Sequence, residues 1–433
     1  MPQLRSAAGT MKHAPPPGHI PHLGPVSATK PPPAQPLARL EQLRRVLERL
    51  RDHGVEVVKS LATYKADALL LSGRERHCGE PMKVFYFGLG ENLAYLTELM
   101  YGEYQSADAG LNRNPYRAQS WVRRYRAGAD LVVLDLPWPA CRLIARRGFM
   151  ALPPWINMVI PLADTWEAVV ARWSKNTKAV DLRRIRKHQL HFRTTAAEAE
   201  FRAFYHKMYV PYVKQRFGDA AFIEPEAKIV SIHEFGELIQ VLRDDRVVAA
   251  GVLIQAGGSL GFPWIGMPVD VDPRTLDGAF AGLYYFIVRL AYERGCEEVD
   301  CFTNRPSLSD GVLRYKRKWG ARLSGSDRLN GQILLSPVVD TPAVRSLLRH
   351  NPFIAETRGE FTGRILFDGH KVTAEEALDS VETYYTDGLG GLRLYALQGF
   401  EDDVAPSLRE RALPVALIDL RGARDPLVKL CQS

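Results

Sequence analysis

The stretch from residue 233 to residue 323 constrains the fold most, because strand and helix signals alternate there in a fixed order. The segments "EFGELIQVLRDD" and "RVVAAGVLIQAGG" flank a tight Asp-Asp-Arg turn, which is typical of a β-hairpin, and "SLGFPWIGM" supplies a third strand. A helix with one apolar face then ends at Gly295, "EEVDCFT" forms another strand, and "GVLRYKRKW" forms a helix that ends before Gly320. This order predicts a mixed α/β domain.

The rest of the chain divides by composition. Residues 1–36 contain "APPPGHIPHLGP" and "KPPPAQP", which predict a disordered, proline-rich tail without a core. Residues 37–165 begin with a predicted leucine-rich helix and then alternate apolar runs with helical segments, which predicts an N-terminal α/β domain. Residues 166–335 form a predicted C-terminal α/β domain that contains the stretch above, and residues 336–433 a small α/β appendage of unknown role.

Composition narrows the class of protein. A chain of 433 residues with 46% hydrophobic content can bury a large core, and its net charge of +8 favours an acidic partner. The five cysteines include no Cys-x-x-Cys pair, so we predict neither a disulfide framework nor a zinc site, and expect a reducing, cytoplasmic compartment. No run of about 18 apolar residues occurs, so we predict no transmembrane segment.

The segment "DPRTLDGAFAGLYYF" is the first candidate ligand site. Gly278 and Ala279 are small and stand where a strand is predicted to lead into a helix, so a ligand can approach the backbone there. The N–H groups at the start of that helix suit a pyrophosphate, and Arg274 adds a charge-assisted hydrogen bond. The alternative is that small residues let the helix lie close to its sheet, and the residues alone favour neither interpretation.

Three segments carry a resemblance to a known family: "SKNTKAVDLRRIRKHQLHFRT", the tyrosine-rich "FYHKMYVPYVKQRFG" and "DGVLRYKRKWGARL". They are similar, in this order, to the Ser-Lys-Asn segment, the tyrosine-rich helix and the closing aromatic-Lys motif of the Fem-type, FemAB-like branch of GNAT acyltransferases. The resemblance covers about residues 55–325. It implies an α/β (α+β) fold of two tandem GNAT-like domains, with mixed, mostly antiparallel sheets flanked by helices, and an acyltransferase activity.

The same resemblance implies a catalytic set near the last helix. Lys316 stands at the position of the Fem-type lysine and is expected to stabilise developing or phosphate charge; the alternative is a solvent-facing lysine on a charged helix. Tyr315 is the expected proton donor to the leaving group, because a phenol is protonated at neutral pH. Asn304 stands at the end of the preceding strand, as in GNAT enzymes. The predicted cofactor contacts are Arg274, Gly278, Ala279 and Arg314.

The segment from Arg172 to Arg193 holds eight basic residues against the single acid Asp181. It is a solvated helix face, a phosphate-contact surface for an aminoacylated tRNA, or the mouth of a site for an anionic acceptor. Apolar residues at helical spacing place one face in the core, so the other face must hold the charge. We favour an anionic substrate or cofactor, and predict that Arg183 and Arg186 contact it.

Tyr205, Tyr209 and Tyr212 follow a helical i, i+4, i+7 pattern, with Arg216 one turn further on. Two interpretations remain open for this face. It is a platform that binds the acceptor, through Tyr205, Tyr209 and Arg216, or it is core packing with hydroxyls at the rim.

Together these observations predict an acyltransferase that moves an acyl or aminoacyl group to an amine or hydroxyl of a cell-envelope, polysaccharide or small-metabolite acceptor. We expect acyl-CoA as the cosubstrate, with acyl carrier protein or aminoacyl-tRNA as alternatives, and no metal. The expected partners are a small-molecule, glycan or lipid-linked acceptor. The competing function is an RNA-binding or non-catalytic module that uses residues 172–193.

Overall fold

The computed structural model of the protein describes residues 64–141, 143–144, 148–218, 223–326 and 331–431. The predicted proline-rich tail and the predicted leucine-rich helix lie outside these residues. The described residues form one compact unit, in which three β-sheets are present.

The first sheet contains six strands, of which most are antiparallel. The strands are β1 (Ala66–Glu75), β2 (Pro81–Gly88), β3 (Tyr101–Arg113), β4 (Leu131–Leu136), β5 (Met150–Leu152) and β14 (Gln332–Pro337). They lie in the order β3-β1-β2-β4-β14-β5, and β2 and β4 form the one parallel pair. The central strand β4 reads "LVVLDL" and is buried along its whole length, as expected of a strand covered on both faces. The flanking helices are α1 (Leu93–Met100), α2 (Ala118–Tyr125), α3 (Trp138–Cys141), α11 (Pro342–His350) and α14 (Pro426–Cys431).

The second sheet contains the strands of residues 233–323. Its strands are β6 (Ile156–Pro161), β7 (His191–Thr195), β8 (Glu237–Arg243), β9 (Arg246–Ala256), β10 (Ser259–Gly261), β11 (Ile265–Gly266), β12 (Glu298–Asn304) and β13 (Arg322–Ser326). The order is β13-β6-β12-β10-β9-β8-β7, and β11 pairs with β9. Only β10 and β12 are parallel, so a helical crossover connects them.

The helices around this sheet include that crossover. They are α4 (Trp166–Ala171), α5 (Leu182–Lys187), α6 (Glu198–Phe204), α7 (Val210–Phe217), α8 (Glu226–Val230), α9 (Ala279–Glu293) and α10 (Gly311–Arg317), with π-helical turns at Thr177–Asp181 and Tyr205–Tyr209. The crossover is α9, which buries its apolar face and is followed by Gly295 at φ +69°. The side chain of Asp310 caps α10 by accepting from Leu313 N at 2.8 Å.

The third sheet is formed by the predicted appendage. Its strands are β15 (Phe353–Thr357), β16 (Glu360–Phe367), β17 (Gly391–Ala396) and β18 (Val415–Asp419), with helices α12 (Ala374–Tyr384) and α13 (Val404–Arg409) between the parallel strands. Short 3-10 turns lie at Pro115–Arg117, Arg126–Gly128 and Ser231–Glu234. Residues of this sheet share one hydrophobic core with residues of the second sheet, among them Leu394 in β17 and Val299 in β12.

The mixed α/β class predicted from the sequence, with mostly antiparallel large sheets flanked by helices, is confirmed. One predicted strand, "SLGFPWIGM", is instead two short strands, β10 and β11, because Pro263 between them has no N–H to donate. The domain boundaries stay predictions. Strand β6 lies in the second sheet although it precedes residue 166, where the second domain is predicted to begin. Strand β14 lies in the first sheet although it spans the predicted boundary between residues 335 and 336.

Candidate active site

The second sheet opens into a cleft between β11 and β12. Strand β10 pairs with β12 as far as Gly261 opposite Asp300; beyond this point β11 pairs with β9, and β12 continues along β6. The gap holds a cavity of about 290 Å³, near the lower end of the range for small-molecule sites. Eight of the 17 residues that line it are aromatic: Tyr209, Tyr212, Phe262, Trp264, Phe280, Tyr284, Phe302 and Tyr315.

A bulge in β12 shapes one wall of the cleft. The register between β12 and β6 shifts between Asp300 and Thr303. Within this shift Phe302 has φ +56°, a left-handed conformation that is uncommon for a bulky residue, and its N–H donates to Asp300 Oδ1 at 2.8 Å. The bulge directs the carbonyls of Phe302 and Thr303 toward the same side-chain nitrogen.

That nitrogen is Nζ of Lys316 in α10. It donates to the Phe302 carbonyl at 3.2 Å and to the Thr303 carbonyl at 3.0 Å, and the residue is only 4% exposed. Burial lowers the pKa of Lys316 to about 8, because the apolar surroundings disfavour the charged form. An ammonium group has three N–H donors, so one remains for a ligand in the cleft that Lys316 lines.

Tyr315, the neighbour of Lys316, also lines the cleft. Its ring packs edge-on against Phe280 and Tyr284, with ring centroids 4.8 and 5.0 Å apart. Burial raises the pKa of Tyr315 well above its usual value, so the phenol keeps its proton at neutral pH. Adjacent residues on a helix point about 100° apart, yet the cleft is wide enough to reach both side chains.

Cys301 is a further potential nucleophile in the cleft wall. Burial raises its pKa to about 12, although the nearby Lys316 cation works in the opposite direction. The thiolate is the nucleophilic form of cysteine, so a thiol that stays neutral is inert. The geometry therefore provides a cation and a phenol, and no activated thiol at Cys301.

The opposite wall is built on the π-helical turn Tyr205–Tyr209. In this turn Val210 N donates to the Tyr205 carbonyl, five residues back, so the helix carries one extra residue. Strand β11 lies directly on it, because a Cβ on Gly266 would come within 2.7 Å of the Met208 carbonyl carbon. Only glycine fits this contact, which holds the turn and the strand together as one wall.

The extra residue decides which of the predicted platform residues reach the cleft. Tyr209, Tyr212 and Arg216 line it, and Arg216 donates to the Tyr212 hydroxyl at 2.8 Å. The hydroxyl of Tyr205 instead donates to the Glu224 carbonyl at 3.0 Å, and Tyr209 accepts from Glu224 N at 3.2 Å. The structure thus brings Tyr209 and Arg216 to the cleft and directs Tyr205 to the neighbouring backbone.

The predicted pyrophosphate site at the start of α9 is packed against α5. Gly278 has φ +83°, and a Cβ there would lie 3.1 Å from the Cβ of Arg184. Arg184 also forms an ion pair with Asp277 at 3.2 Å. Arg274 is exposed, and Ala279 is buried. The small residues at the start of α9 therefore allow close packing of the protein itself, which is similar to the alternative interpretation of this segment. The predicted cofactor contacts at this helix end remain predictions.

The remaining predicted residues lie apart from the cleft lining. Asn304 is 2% exposed, and its Nδ2 donates to the Ile156 carbonyl at 3.3 Å, so it joins β12 to β6. Arg314 is exposed on α10, and Arg183 and Arg186 are exposed on α5. Their predicted roles in binding a cofactor or substrate remain predictions.

Sequence reasoning missed several residues of the cleft wall. The sequence pattern places Tyr284 in the predicted helix that ends at Gly295 and Trp264 in a predicted strand, although both line the cavity. The carbonyl of Phe302 binds Lys316 only because of the bulge, for which the sequence has no clear signal. Pro263, which has no N–H to donate, is the sequence signal that strand β10 ends early.

Among the described residues, no three His, Cys, Asp or Glu side chains are grouped so that they could hold a metal ion. In the same part of the chain, no helix is long and apolar enough to cross a membrane. No disulfide bond is seen among the described cysteines.

No family model and no curated protein matches the chain. Among solved structures, FemX is similar with a TM-score of 0.33 and 11% identity, over 62% of this chain and 84% of that chain. L-PGS from Bacillus licheniformis has a TM-score of 0.30 and 11% identity, over 66% and 86%. A GCN5-related N-acetyltransferase from Sphaerobacter thermophilus has a TM-score of 0.30 and 15% identity, over 60% and 75%. At TM-scores below 0.5 these likenesses carry no argument, and the fold class rests on the strand pairing above.

Proposed function

We propose that the protein is an acyltransferase that moves an acyl group from a thioester donor to an amine or hydroxyl of an acceptor. The observation that carries the proposal is Lys316, a buried cation in the cleft wall that is bound by two carbonyls and keeps one donor for a ligand. Among the described residues it has no carboxylate at ion-pair distance. Burial of a cation without a paired charge costs free energy. The same cation can stabilise negative charge that develops in the cleft.

The chemistry follows from the two side chains of α10. The acceptor nitrogen or oxygen attacks the thioester carbonyl carbon, and a C–N or C–O bond forms while negative charge develops on the carbonyl oxygen. The free N–H of Lys316 donates to that oxygen. The C–S bond then breaks, its electron pair stays on sulfur, and the Tyr315 phenol gives its proton to the thiolate. The proton that the acceptor releases restores the phenol through water, so the products are the acylated acceptor and a free thiol.

The aromatic walls support an acyl substrate. Side chains such as Trp264 and Phe280 present flat apolar surfaces, which suit a hydrocarbon chain better than a charged group. Glu224 also lines the cleft, but its carboxylate is paired with Lys228 at 2.8 Å. The acceptor is proposed to be an amine or hydroxyl of a cell-envelope component, a polysaccharide or a small metabolite.

Thiol release tests the proposal. Purified protein is incubated with acetyl, octanoyl and hexadecanoyl thioesters of pantetheine and of CoA, together with a panel of amines and alcohols, and the free thiol and acylated product are measured. We expect thiol release that depends on an acceptor and is lost in Lys316→Met. Lys65→Met, a change at an exposed lysine just before β1, should leave the rate unchanged. Release no faster than spontaneous hydrolysis with every donor, or equal rates in Lys316→Met and the wild type, would overturn the proposal.

A further inference from the structure

The solvent side of the basic segment carries a row of cations without acidic partners. We define the basic stripe as Lys175, Lys178, Arg183, Arg186 and Lys187. All five are exposed, and none of them has a carboxylate at ion-pair distance among the described residues, although Lys187 is close enough to Asp277 to lower the pKa of that carboxyl. By contrast, Arg184, on the same helix, is paired with Asp277. The stripe therefore keeps its charge for an external partner.

The π-helical turn Thr177–Asp181 aligns the stripe. In this turn Leu182 N donates to the Thr177 carbonyl, five residues back. Lys178 and Arg183 are also five residues apart, so the turn places them one above the other, where an α-helix would rotate them apart. The stripe thus runs along one side of about 13 residues, a length of about 20 Å at 1.5 Å per residue. That length matches the side of a helix of three to four turns.

The stripe is coupled to the cleft through the end of α10. Ser174 N donates to the Lys318 carbonyl at 2.9 Å, and Lys318 Nζ is bound to Asp181 at 2.8 Å. The same Nζ lies 4.0 Å from the centroid of the Tyr315 ring. A partner that binds the stripe is therefore held beside the helix that carries Tyr315 and Lys316.

The composition of the stripe favours an acidic protein over RNA or lipid. Residues 174–188 contain no Phe, Tyr or Trp, so bases have no stacking platform. Ile185 is buried and Leu182 half-buried, so the stripe lacks the large exposed apolar residues that a membrane-surface helix inserts. A linear row of cations complements the acidic face of a partner helix.

The cleft favours the same partner. The α-ammonium of an aminoacyl ester would meet the Lys316 cation in the cleft, whereas a hydrocarbon acyl chain meets aromatic side chains. The start of α9, where the nucleotide of CoA was expected, is packed against Arg184 at Gly278. A thioester donor that is bound through its carrier protein needs no nucleotide-binding site at this position.

We propose that the basic stripe docks an acidic acyl carrier protein, which delivers its acyl-phosphopantetheine thioester to the cleft. This proposal rests on the proposed acyltransferase function and names its donor. The bond changes are those given above, with the carrier's phosphopantetheine thiol as the leaving group.

Charge reversal separates docking from chemistry. The test variant combines Lys175→Glu, Lys178→Glu and Lys187→Glu, and the control variant combines Lys65→Glu, Arg117→Glu and Arg123→Glu, which are exposed positions of the first-sheet region. Each is assayed with octanoyl carrier protein and with octanoyl-pantetheine, after circular dichroism has verified the fold. With the carrier protein, we expect kcat/KM of the test variant to fall by at least about tenfold, and by less in the matching glutamine variant. With octanoyl-pantetheine, both variants should match the wild type.

Three outcomes would overturn the docking proposal while the acyltransferase function stands: equal loss in the control variant, equal loss with octanoyl-pantetheine, or full activity of the test variant with the carrier protein. Salt-sensitive binding of aminoacylated tRNA through the stripe, with aminoacyl transfer, would replace the carrier by an RNA donor. Absence of transfer from every thioester by the wild type would instead remove the acyltransferase function itself. The wild-type rate with octanoyl-pantetheine distinguishes these cases.

Discussion

The sequence indicates two candidate ligand sites beside the second sheet: the start of α9, and the helix α10 that follows β12. The two sites differ in the structure. At the start of α9, the small residue Gly278 makes room for Arg184, so the space that a ligand would need is filled by protein. At the end of β12, the chain bulges, the strands separate, and Lys316 and Tyr315 of α10 line a cavity. A small residue indicates a close approach but not what approaches; a buried cation with an unused donor indicates a ligand more directly.

The largest effect is expected from Lys316→Met, which removes the cation from the cleft but keeps much of the side-chain volume. We expect kcat for acyl transfer to fall by about 10³-fold, the upper end for losing one donor to the developing oxyanion. Steady-state thiol release measures this, with circular dichroism to verify the fold. A fall of less than about threefold would mean that the cleft holds no reacting carbonyl.

The Tyr315→Phe variant should lose about 10²-fold, because water then supplies the proton to the leaving thiolate. The loss should shrink with a donor whose thiol is more acidic, such as an aryl thioester, since its thiolate needs no proton. The measurement is the ratio of the rate with the alkyl thioester to the rate with the aryl thioester, in the wild type and in Tyr315→Phe. An equal loss with alkyl and aryl thioesters would assign Tyr315 to packing against Phe280 and Tyr284.

The pH dependence sharpens the role of Lys316. Its pKa is lowered to about 8 from 10.5, so the cation should be lost as the pH rises through about 8, and kcat should fall by about tenfold per unit above that value. Stability has the opposite sign: between about 8 and 10.5 the unfolded chain binds the proton that the folded chain has lost, so the free energy of unfolding rises with pH. Lys316→Met should lack both slopes. A wild-type rate that stays constant to pH 10 would contradict the role of the cation.

The smallest effect is expected at the start of α9, and it concerns stability alone. Gly278→Ala should lower the free energy of unfolding by about 1–2 kcal/mol, because φ is +83° and the added Cβ would press on Arg184. Urea denaturation measures the change, and Arg274→Ala, at an exposed side chain, should stay within about 0.5 kcal/mol of the wild type. If Arg274→Ala raised KM for acyl-CoA but not for acyl-pantetheine, the start of α9 would be a nucleotide site after all.

The sequence predicted those parts of the fold that depend on local pattern. The hairpin of β8 and β9, the crossover helix α9 and the start of α10 near Gly311 follow from alternation, helical spacing and capping residues. Lys316 and Tyr315 were named from the motif that surrounds them, and both line the cleft.

Other features depend on tertiary packing and have weak local signals. The π-helical turn that directs Tyr205 away from the cleft has the same apolar spacing as an α-helix. The bulge at Phe302 is set by its pairing with β6, which lies more than a hundred residues earlier in the chain. The sequence places Asn304 at a strand end but gives no sign that its side chain bonds to the neighbouring strand, and its catalytic role stays a prediction.

The account rests on the claim that the reacting carbonyl lies beside Lys316. A crystal structure with a ketone analogue of octanoyl-pantetheine, in which a methylene group replaces the thioester sulfur, tests this most directly because the analogue binds but cannot transfer its acyl group. We expect its carbonyl oxygen within hydrogen-bond distance of Lys316 Nζ, with the acyl chain among the aromatic residues of the cleft. An analogue bound at the start of α9, or in the cleft with its carbonyl directed away from Lys316, would contradict the account.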